Sequence, residues 1–266
     1  MNVSIVTPVY NSARFIEATL DSLANQTCSE FELLLIDDGS TDSTVDVIQR
    51  RLACDDIYFD WKLLKMAHNG PGACRNRGII ESSCDWVAFL DSDDLWDETK
   101  IEVLNYLISR NTLSNFYYHD EVIVRDGKKI GKTCSFPDKK KGIDLERDLY
   151  LKNRFSTSSV CVKKDVLFAA GLFDKSLSSA QDYDLWIRLC PLVIGEYVEN
   201  LEGIYSVRYD NVTNRNFGKR FRNEIIIANK YRNKFGLTLY LLKIARIILG
   251  FSIQICRRIV WQFFRD

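Results

Sequence analysis

The 266-residue chain is long enough for one α/β domain, with or without an appendage. Its 46% hydrophobic and 12% aromatic residues suffice for a packed core and exclude an intrinsically disordered protein. Eight cysteines without a Cys-x-x-Cys pair, and only two histidines, argue against a zinc site and favour a reducing compartment. The chain begins with a strand-like segment instead of a signal peptide, so we expect a cytosolic protein.

The formal net charge of zero hides an asymmetry between the two ends of the chain. Residues 219–266 contain eleven Lys or Arg against Glu224 and Asp266, a balance of +9, so residues 1–218 carry −9. This contrast predicts a main domain of residues 1–218 and a basic, apolar helical tail of residues 219–266. An acidic body with a basic tail indicates that the tail faces an anionic surface.

Strand-like and helix-like segments alternate in the first part of the chain. Short apolar runs predict strands at 3–7, 31–36, 57–65 and 86–90. Helical spacing of apolar residues predicts helices at 15–23 (after a cap at Asn11-Ser12), 43–52 and 73–82. This order predicts an α/β fold with a Rossmann-like, mostly parallel sheet and helices on both faces.

The second part of the chain is less regular. Its predicted elements are strands at 116–124 and 156–162, helices at 163–169 and 181–189, a turn at 125–129 and a loop at 136–142. Because ligands of parallel sheets bind beyond the carboxyl ends of the strands, the segments 7–11, 37–41 and 91–94 should converge on one cleft.

An acidic tetrad, Asp91-Ser92-Asp93-Asp94, directly follows the predicted strand 86–90. Three carboxylates in four positions repel one another unless a cation lies between them. Mg²⁺ and Mn²⁺ prefer carboxylate oxygens and leave coordination sites open for phosphate. The alternative is a solvated acidic turn that caps a following helix.

Two further side chains fit a nucleotide ligand. Asp38, at the end of the second strand, can accept hydrogen bonds from a base edge, or can instead cap the helix at Ser43. Arg75, after the Gly70-Pro71-Gly72 turn, can add a fixed charge near phosphates, or can be a surface arginine. The chain has neither a P-loop nor a Gly-x-Gly-x-x-Gly signature, so a metal ion would have to neutralise the phosphates.

Five segments together resemble the family 2 glycosyltransferases. They are VSIVTPVYN (3–11), LIDDGSTD (35–42), NGPGACRNRG (69–78), FLDSDD (89–94) and SSAQDYDLWIRL (178–189). The resemblance implies a GT-A fold for residues 1–218, a nucleotide-sugar donor, and an inverting displacement that uses Mg²⁺ or Mn²⁺.

The resemblance also implies roles for single residues. Asp38 would contact the uracil of a UDP-sugar, in a pocket lined by Pro8 and Tyr10. Asp93 would ligate the metal ion, with Asp91 near the ribose or the metal. Asp182 would be the general base on the acceptor hydroxyl, although by itself it also suits the start of a helix.

Two positions depart from the family pattern. Many relatives have Glu-Asp where this chain has Gln181-Asp182, and a histidine where Tyr209 stands. The second change puts a third protein ligand to the metal in doubt. We interpret His68 and His119, which lie elsewhere, as structural.

The tail alternates basic and apolar residues. Its longest uncharged run, 247–256, is shorter than the ~20 residues of a spanning helix. On a helix, one stripe contains Lys243, Arg246, Gly250, Gln254, Arg257, Trp261 and Arg265. This pattern predicts a helix in the membrane interface. The alternative is a helix packed on the body or at a dimer interface.

These features predict an inverting, metal-dependent hexosyltransferase, peripheral on the cytosolic face of a bacterial plasma membrane. It would move a hexose from UDP-glucose or UDP-galactose to a lipid-linked (undecaprenyl-diphosphate) saccharide in O-antigen, capsule or exopolysaccharide synthesis. We expect no nucleic-acid partner, and the oligomeric state stays open. The rival functions are a non-catalytic nucleotide-sugar-binding scaffold and a nucleotidyltransferase.

Overall fold

The computed structural model describes residues 2–110, 113–125, 127–133, 145–207 and 217–263, except the side chains of 202, 217, 254 and 256–263. The strands are β1 (Val3–Val9), β2 (Phe31–Asp37), β3 (Asp60–Lys65), β4 (Trp86–Phe89), β5 (Leu95–Trp96), β6 (Phe116–Arg125), β7 (Lys128–Lys132), β8 (Val160–Lys163) and β9 (Gly195–Ser206). The helices are α1 (Ile16–Ala24), α2 (Thr44–Leu52), α3 (Pro71–Glu81), α4 (Lys100–Ser109), α5 (Leu145–Leu151), α6 (Lys164–Ala169), α7 (Gln181–Leu189), α8 (Phe217–Lys230) and α9 (Arg232–Phe263).

One sheet runs through the described residues in the order β3-β2-β1-β4-β8-β6-β9-β5, with β7 paired to β6. Strands β1 to β4 are parallel, with Val3 opposite Phe31 on one side and Trp86 on the other. Strand β8 runs antiparallel to both β4 and β6, while β9 pairs in parallel with β6. The predicted α/β class and the mostly parallel sheet are confirmed.

Two apolar layers cover the two faces of the sheet. Along β1, Ile5 packs in one cluster and its neighbour Val6 in the other; Leu33 and Leu34 divide in the same way along β2. This alternation follows from the pleat, which sends successive side chains to opposite faces. Since both faces are covered, β2 is buried over its whole length, as a central parallel strand should be.

Helix α3 approaches β1 so closely that only glycine fits at position 78. A β-carbon on Gly78 would lie 2.3 Å from Cγ1 of Val6. The helix begins at Pro71, two residues earlier than predicted, because Gly70 takes a φ of 86° and Pro71 suits the first helical position. This packing brings the start of α3 to the carboxyl edge of the sheet.

The predicted strand 156–162 is wrong in its first half. Residues Thr157–Ser159 form a 3₁₀ turn, and only Val160–Lys163 is extended. The carbonyl of Ser156 accepts the N–H of Ser159 at 3.2 Å and its hydroxyl at 2.9 Å. Such local serine bonds compete with a strand ladder and explain the turn.

The tail forms two helices that pack on the body. Helix α8 buries Asn223, Ile227 and Ala228. Helix α9 is interrupted at Gly236 (φ 80°) and buries Lys243, Ile247 and Phe251.

The predicted basic stripe is wrong at its first member. Lys243 is only 2% exposed, because its ammonium group finds polar partners on the body, whereas Arg246 and Gly250 are exposed. The side chains of Gln254, Arg257 and Trp261, and all of Arg265, lie outside the described structure, as do Tyr209, Asp126 and the loop 136–142.

The outward face of α9 is apolar. Its exposed residues include Leu237, Leu241, Leu242, Ile248, Leu249, Ile253 and Ile255. By length and composition alone, the 22 residues Arg232–Ile253, of mean hydropathy 1.6, could cross a membrane.

Candidate active site

Three loops meet at the carboxyl ends of β1, β2 and β4, as predicted from the parallel order. The N–H of Asn11 donates to the Ser40 hydroxyl at 3.0 Å, and the Asn11 side-chain oxygen accepts the N–H of Thr41 at 2.8 Å. The hydroxyls of Ser12 and Ser92 are hydrogen-bonded at 2.8 Å. These bonds join segments 7–11, 37–41 and 91–94 into one cleft.

Asp38 is buried beneath the cleft and holds the turn before α3. Its carboxylate accepts the backbone N–H groups of Asn69 at 2.8 Å and Gly70 at 2.9 Å. The alternative of a cap for α2 is wrong, since Asp42 makes that contact, accepting the N–H of Thr44 at 3.0 Å. Asp38 therefore connects the second strand to the Gly-Pro-Gly turn.

His68 lies beside the predicted base pocket, which the sequence interpretation missed. Its ring is 4.3 Å from the ring of Tyr10, and its Nδ1 lies 2.8 Å from Oδ2 of Asp38. Tyr10 is 45% exposed and Pro8, two residues earlier, is half-buried, so both present the same side of the chain. The available signal was the position of His68, directly before the Asn69-Gly70 segment. His119 has no such place at the cleft, because it is buried and its Nε2 is hydrogen-bonded to the ammonium group of Lys100.

Arg75 points inward from the second turn of α3. It is 5% exposed, so the surface alternative is wrong. Its Nη2 donates to Oδ1 of Asp91 at 2.6 Å, and its guanidinium lies 5.4 Å from the Phe173 ring. Its Nε has no hydrogen-bond partner within the described ranges. A buried arginine with an unused donor suits an anionic ligand.

The acidic tetrad divides into two environments. Asp91 and Asp93 are half-buried, and the N–H of Asp91 donates to the Ser158 hydroxyl at 3.0 Å. Asp94 is 1% exposed and accepts the Ser158 hydroxyl at 2.7 Å and the N–H of Ser206 at 3.1 Å. The alternative of a solvated acidic turn that caps a following helix is wrong for Asp94, since Asp94 is buried and strand β5 follows it.

The carboxylates of the tetrad act on one another electrostatically. Burial raises the pKa of Asp94 well above its usual range, and the neighbouring Asp93 raises it further. Burial and the charges of Asp94, Asp93 and Asp91 also raise the pKa of Tyr205. The carboxylates of the tetrad are therefore close enough to oppose one another's ionisation.

The donor chemistry of Asp91 and Asp93 fits a hard divalent cation. Both supply oxygen ligands only, and Mg²⁺ is commonly held by one or two carboxylates together with substrate phosphates. No group of three His, Cys, Asp or Glu side chains in the described part of the chain has a geometry that would hold a metal on its own. A phosphate-bearing ligand would have to complete the site.

Asp182 faces the Arg75–Asp91 pair from the start of α7. Its Oδ2 accepts the side-chain amide of Asn153 at 2.9 Å. Burial raises the pKa of Asp182, Arg75 opposes that shift, and Asp91 adds to it. The starts of α3 and α7 also touch, since a β-carbon on Gly72 would lie 3.3 Å from Gln181 Cγ.

Trp186 and Arg188, further along α7, have structural contacts. Trp186 is buried in the core, and Arg188 pairs with Asp184 at 3.0 Å and donates to the carbonyl of Leu172 at 2.6 Å. Asp184 and Arg188, the charged residues of α7 that follow Asp182, are therefore already engaged in structural contacts.

Residues 4–164 match the family model of glycosyl transferase family 2. The chain belongs to that family. It is 23% identical over 244 residues to the hyaluronan synthase of Pasteurella multocida, covering 90% of this chain and 24% of that protein. It is 22% identical over 266 residues to the chondroitin synthase of Escherichia coli, covering 98% of this chain and 36% of the synthase. The chain thus spans about a quarter to a third of the length of these two relatives.

Solved structures that superpose on this chain establish its fold. Staphylococcus aureus TarS in complex with UDP-GlcNAc superposes with a TM-score of 0.69 at 20% identity, covering 88% of this chain and 67% of TarS. The mannosyltransferase PcManGT of Pyrobaculum calidifontis, in complex with GDP-Man and Mn²⁺, superposes with a TM-score of 0.65 at 15% identity, covering 92% and 69%. The predicted GT-A fold is confirmed.

Proposed function

We propose that this protein is an inverting glycosyltransferase that moves a hexose from a UDP-sugar to a lipid-linked saccharide during surface-polysaccharide synthesis. The observation that supports it best is that Asp182, at the start of α7, lies close enough to the buried Arg75–Asp91 pair for both charges to act on its pKa. Burial raises the pKa of the Asp182 carboxylate, and the paired charges of Arg75 and Asp91 act on that pKa in opposite directions. This is the arrangement that inversion needs, with a base on one side and a leaving-group site on the other.

The donor's base would bind between Tyr10, Pro8 and the turn held by Asp38. The exposed Tyr10 ring offers a stacking surface, and His68 supports it from beneath. We propose UDP-glucose or UDP-galactose as donor. The likeness to TarS in complex with UDP-GlcNAc supports a UDP-sugar.

The diphosphate would lie over Asp91, Asp93 and Arg75. Asp93, with Asp91 as its neighbour, would hold a Mg²⁺ or Mn²⁺ ion; a likeness to the Mn²⁺ complex of PcManGT supports this cofactor. When bound, the ion neutralises charge on the leaving diphosphate. Arg75 supplies a second positive charge whose Nε is not used by the protein.

Asp182 would accept the proton of the attacking hydroxyl. A carboxylate offers about four acceptor positions, and Asn153 occupies one of them, so lone pairs remain for an acceptor. A pKa raised by burial brings the base nearer to the working pH and strengthens proton transfer. Attack from the Asp182 side, opposite the diphosphate, inverts the anomeric carbon.

The tail would bind the protein to the cytosolic face of the membrane. One face of α9 is covered, because Lys243 is hydrogen-bonded to the body and Ile247 and Phe251 pack on α8, so the opposite, apolar face is the one available to lipid. This supports a helix that lies in the interface. The eleven basic residues of the tail favour anionic lipid and a lipid-diphosphate acceptor.

The donor and the base are tested by UDP release. A panel of nucleotide-sugars with Mn²⁺ should show one UDP-sugar that raises the melting temperature and is slowly hydrolysed, with water as acceptor. Asp182→Asn should lower that hydrolysis about 10²-fold or more while UDP binding stays. Asp165→Asn is the matched control, because Asp165 is also the second residue of a helix but is exposed. Full hydrolysis by Asp182→Asn would overturn the assignment of the base.

A further inference from the structure

We propose that Lys243, in the C-terminal helix α9, is a positioning residue for Asp182. This inference rests on the proposed function, since it assumes that Asp182 is the base. Lys243 lies outside residues 4–164, the segment matched by the family model. It would act through the two segments that hold the Asp182 carboxylate, without touching substrate.

Lys243 joins the start of α7 to the end of α5. Its Nζ donates to the hydroxyl of Tyr183 at 2.8 Å and to the carbonyl of Leu151 at 3.4 Å. Tyr183 directly follows Asp182, and its hydroxyl donates in turn to the carbonyl of Tyr150. One ammonium group therefore binds both elements at the positions nearest the base.

The same two elements carry the bond that orients Asp182. Asn153 lies two residues after Leu151, and its amide donates to Oδ2 of Asp182 at 2.9 Å. Its side-chain oxygen accepts the N–H of Phe155 at 3.2 Å, which fixes the amide plane. If the end of α5 moves relative to α7, this hydrogen bond lengthens and the carboxylate loses its orientation.

A second tail residue holds the segment that leads into α7. The amide of Asn223, in α8, donates to the carbonyl of Ser179 at 3.1 Å and reaches the hydroxyls of Ser178 and Ser179 at 3.2 and 3.0 Å. Ala180, which follows, takes a left-handed φ of 59°. Asn223 thus holds the segment that leads to Ala180, the strained residue two positions before the base.

Burial of the Lys243 ammonium group costs desolvation free energy, which its hydrogen bonds have to offset. Lys243 is 2% exposed, and its nearest carboxylate oxygen, on Glu224, is 3.9 Å away. Burial lowers its pKa to about 8, with Glu224 opposing the shift and Arg246 and Arg220 adding to it. An apolar side chain would pack here without that penalty. The directional bonds to Tyr183 and Leu151 are what only the ammonium group provides.

The test compares Lys243→Met with Lys234→Met in the full-length protein. Both changes remove one tail lysine that contacts α5, but Lys234 is more exposed and pairs with Glu146 at the far end of that helix. In UDP-sugar hydrolysis with Mn²⁺, Lys243→Met should lower kcat about tenfold with an unchanged donor KM. Lys234→Met should match the wild type, and Lys243→Arg should recover part of the rate.

The pH profile separates positioning from general destabilisation. Loss of the Asn153 donor raises the pKa of Asp182, whose other charged neighbours are Arg75 and Asp91. The acidic limb of kcat should therefore move to higher pH in Lys243→Met. If Lys243→Met does not fold, the pH profile of Asn223→Ala is measured instead, with Asn233→Ala as control, because Asn233 is an exposed tail asparagine.

Two results would overturn the inference. One is a wild-type rate and pH profile in Lys243→Met and Asn223→Ala while Asp182→Asn is inactive; this leaves the proposed function standing. The other is a joint loss of rate, UDP affinity and melting temperature, which marks Lys243 as merely structural. A wild-type rate in Asp182→Asn would instead overturn the proposed function itself.

Discussion

Arg75 and Asp91 form an ion pair in which Nη2 and Oδ1 are 2.6 Å apart, although 16 residues separate them. The arginine is buried and the aspartate is half-buried, so the pair is only partly screened by water. Asp182 responds to both charges, Arg75 lowering its pKa and Asp91 raising it. The pair therefore links the two sides of the cleft.

Replacing Arg75 with methionine should weaken UDP binding about 10- to 100-fold, because a charge-assisted hydrogen bond contributes about 1.5–3 kcal/mol. Isothermal titration calorimetry with UDP and Mn²⁺ measures the change. Arg77→Met is the control, since Arg77 is on the same helix but its side chain is 55% exposed. Equal UDP affinities of Arg75→Met and Arg77→Met would show that Arg75 does not bind the diphosphate.

Asp93→Ala should abolish the Mn²⁺-dependent part of UDP binding. Asp93 and Asp91 supply the oxygen ligands, and the carboxylate that remains, Asp91, is already paired with Arg75 and is therefore a poor ligand by itself. Calorimetry with and without Mn²⁺ shows the effect, with the exposed Asp46→Ala as control. A metal-dependent affinity that survives in Asp93→Ala would place the ion elsewhere.

The rate of UDP release should fall as the pH is lowered through the pKa of Asp182. The base works only when deprotonated, and burial raises its pKa above the ordinary aspartate value of 3.8, so the acidic limb should lie above that value. Asn153→Ala should move the limb to higher pH, because the amide stabilises the charged form. A limb that is the same in wild type and Asn153→Ala would show that another group controls it.

Ser158→Ala should destabilise the protein by about 1–3 kcal/mol, because it leaves polar groups of the tetrad without partners. The Ser158 hydroxyl accepts the N–H of Asp91 and donates to Asp94. Chemical denaturation measures the free energy of unfolding. Ser109→Ala is the control, because Ser109 is exposed and bonds only within its own helix. Equal stabilities would show that the tetrad is held by its other contacts.

Glutamate at Leu241 and Leu249 should reduce binding to anionic vesicles, since both side chains are more than half exposed on the outward face of α9. Cosedimentation with vesicles containing phosphatidylglycerol measures it. The control is Ile80→Glu, an apolar residue of similar exposure, 56%, on α3. Full retention of the double variant on vesicles would contradict a membrane role for this face.

The parts of the fold that the sequence predicts are those that depend on local hydrophobic patterns. The strand β2 is seven buried residues, a run that the sequence shows directly, and α7 has the predicted bounds of 181–189. The convergence of Asn11, Ser40 and Ser92 followed from parallel strand order alone, because parallel strands end at one edge.

The unpredicted part depends on contacts between distant segments. Ser158 meets Asp91 across 67 positions, and Lys243 meets Tyr183 across 60. Neither contact has a local signature, since a serine in a predicted strand and a lysine in a basic stripe have many other uses. Asp94 was misjudged for the same reason, because its burial is created by β8, β9 and their connections.

The sequence by itself determined the α/β order, the cleft at the strand ends and the residue types that could bind a nucleotide, since these follow from hydrophobic periodicity and motif spacing. Only the tertiary structure decided which carboxylates are buried, that Arg75 pairs with Asp91 and acts on the pKa of Asp182, and that Lys243 faces inward. The physical reason is desolvation: the cost of burying a charge, and the partner that offsets it, depend on which distant segments pack around it.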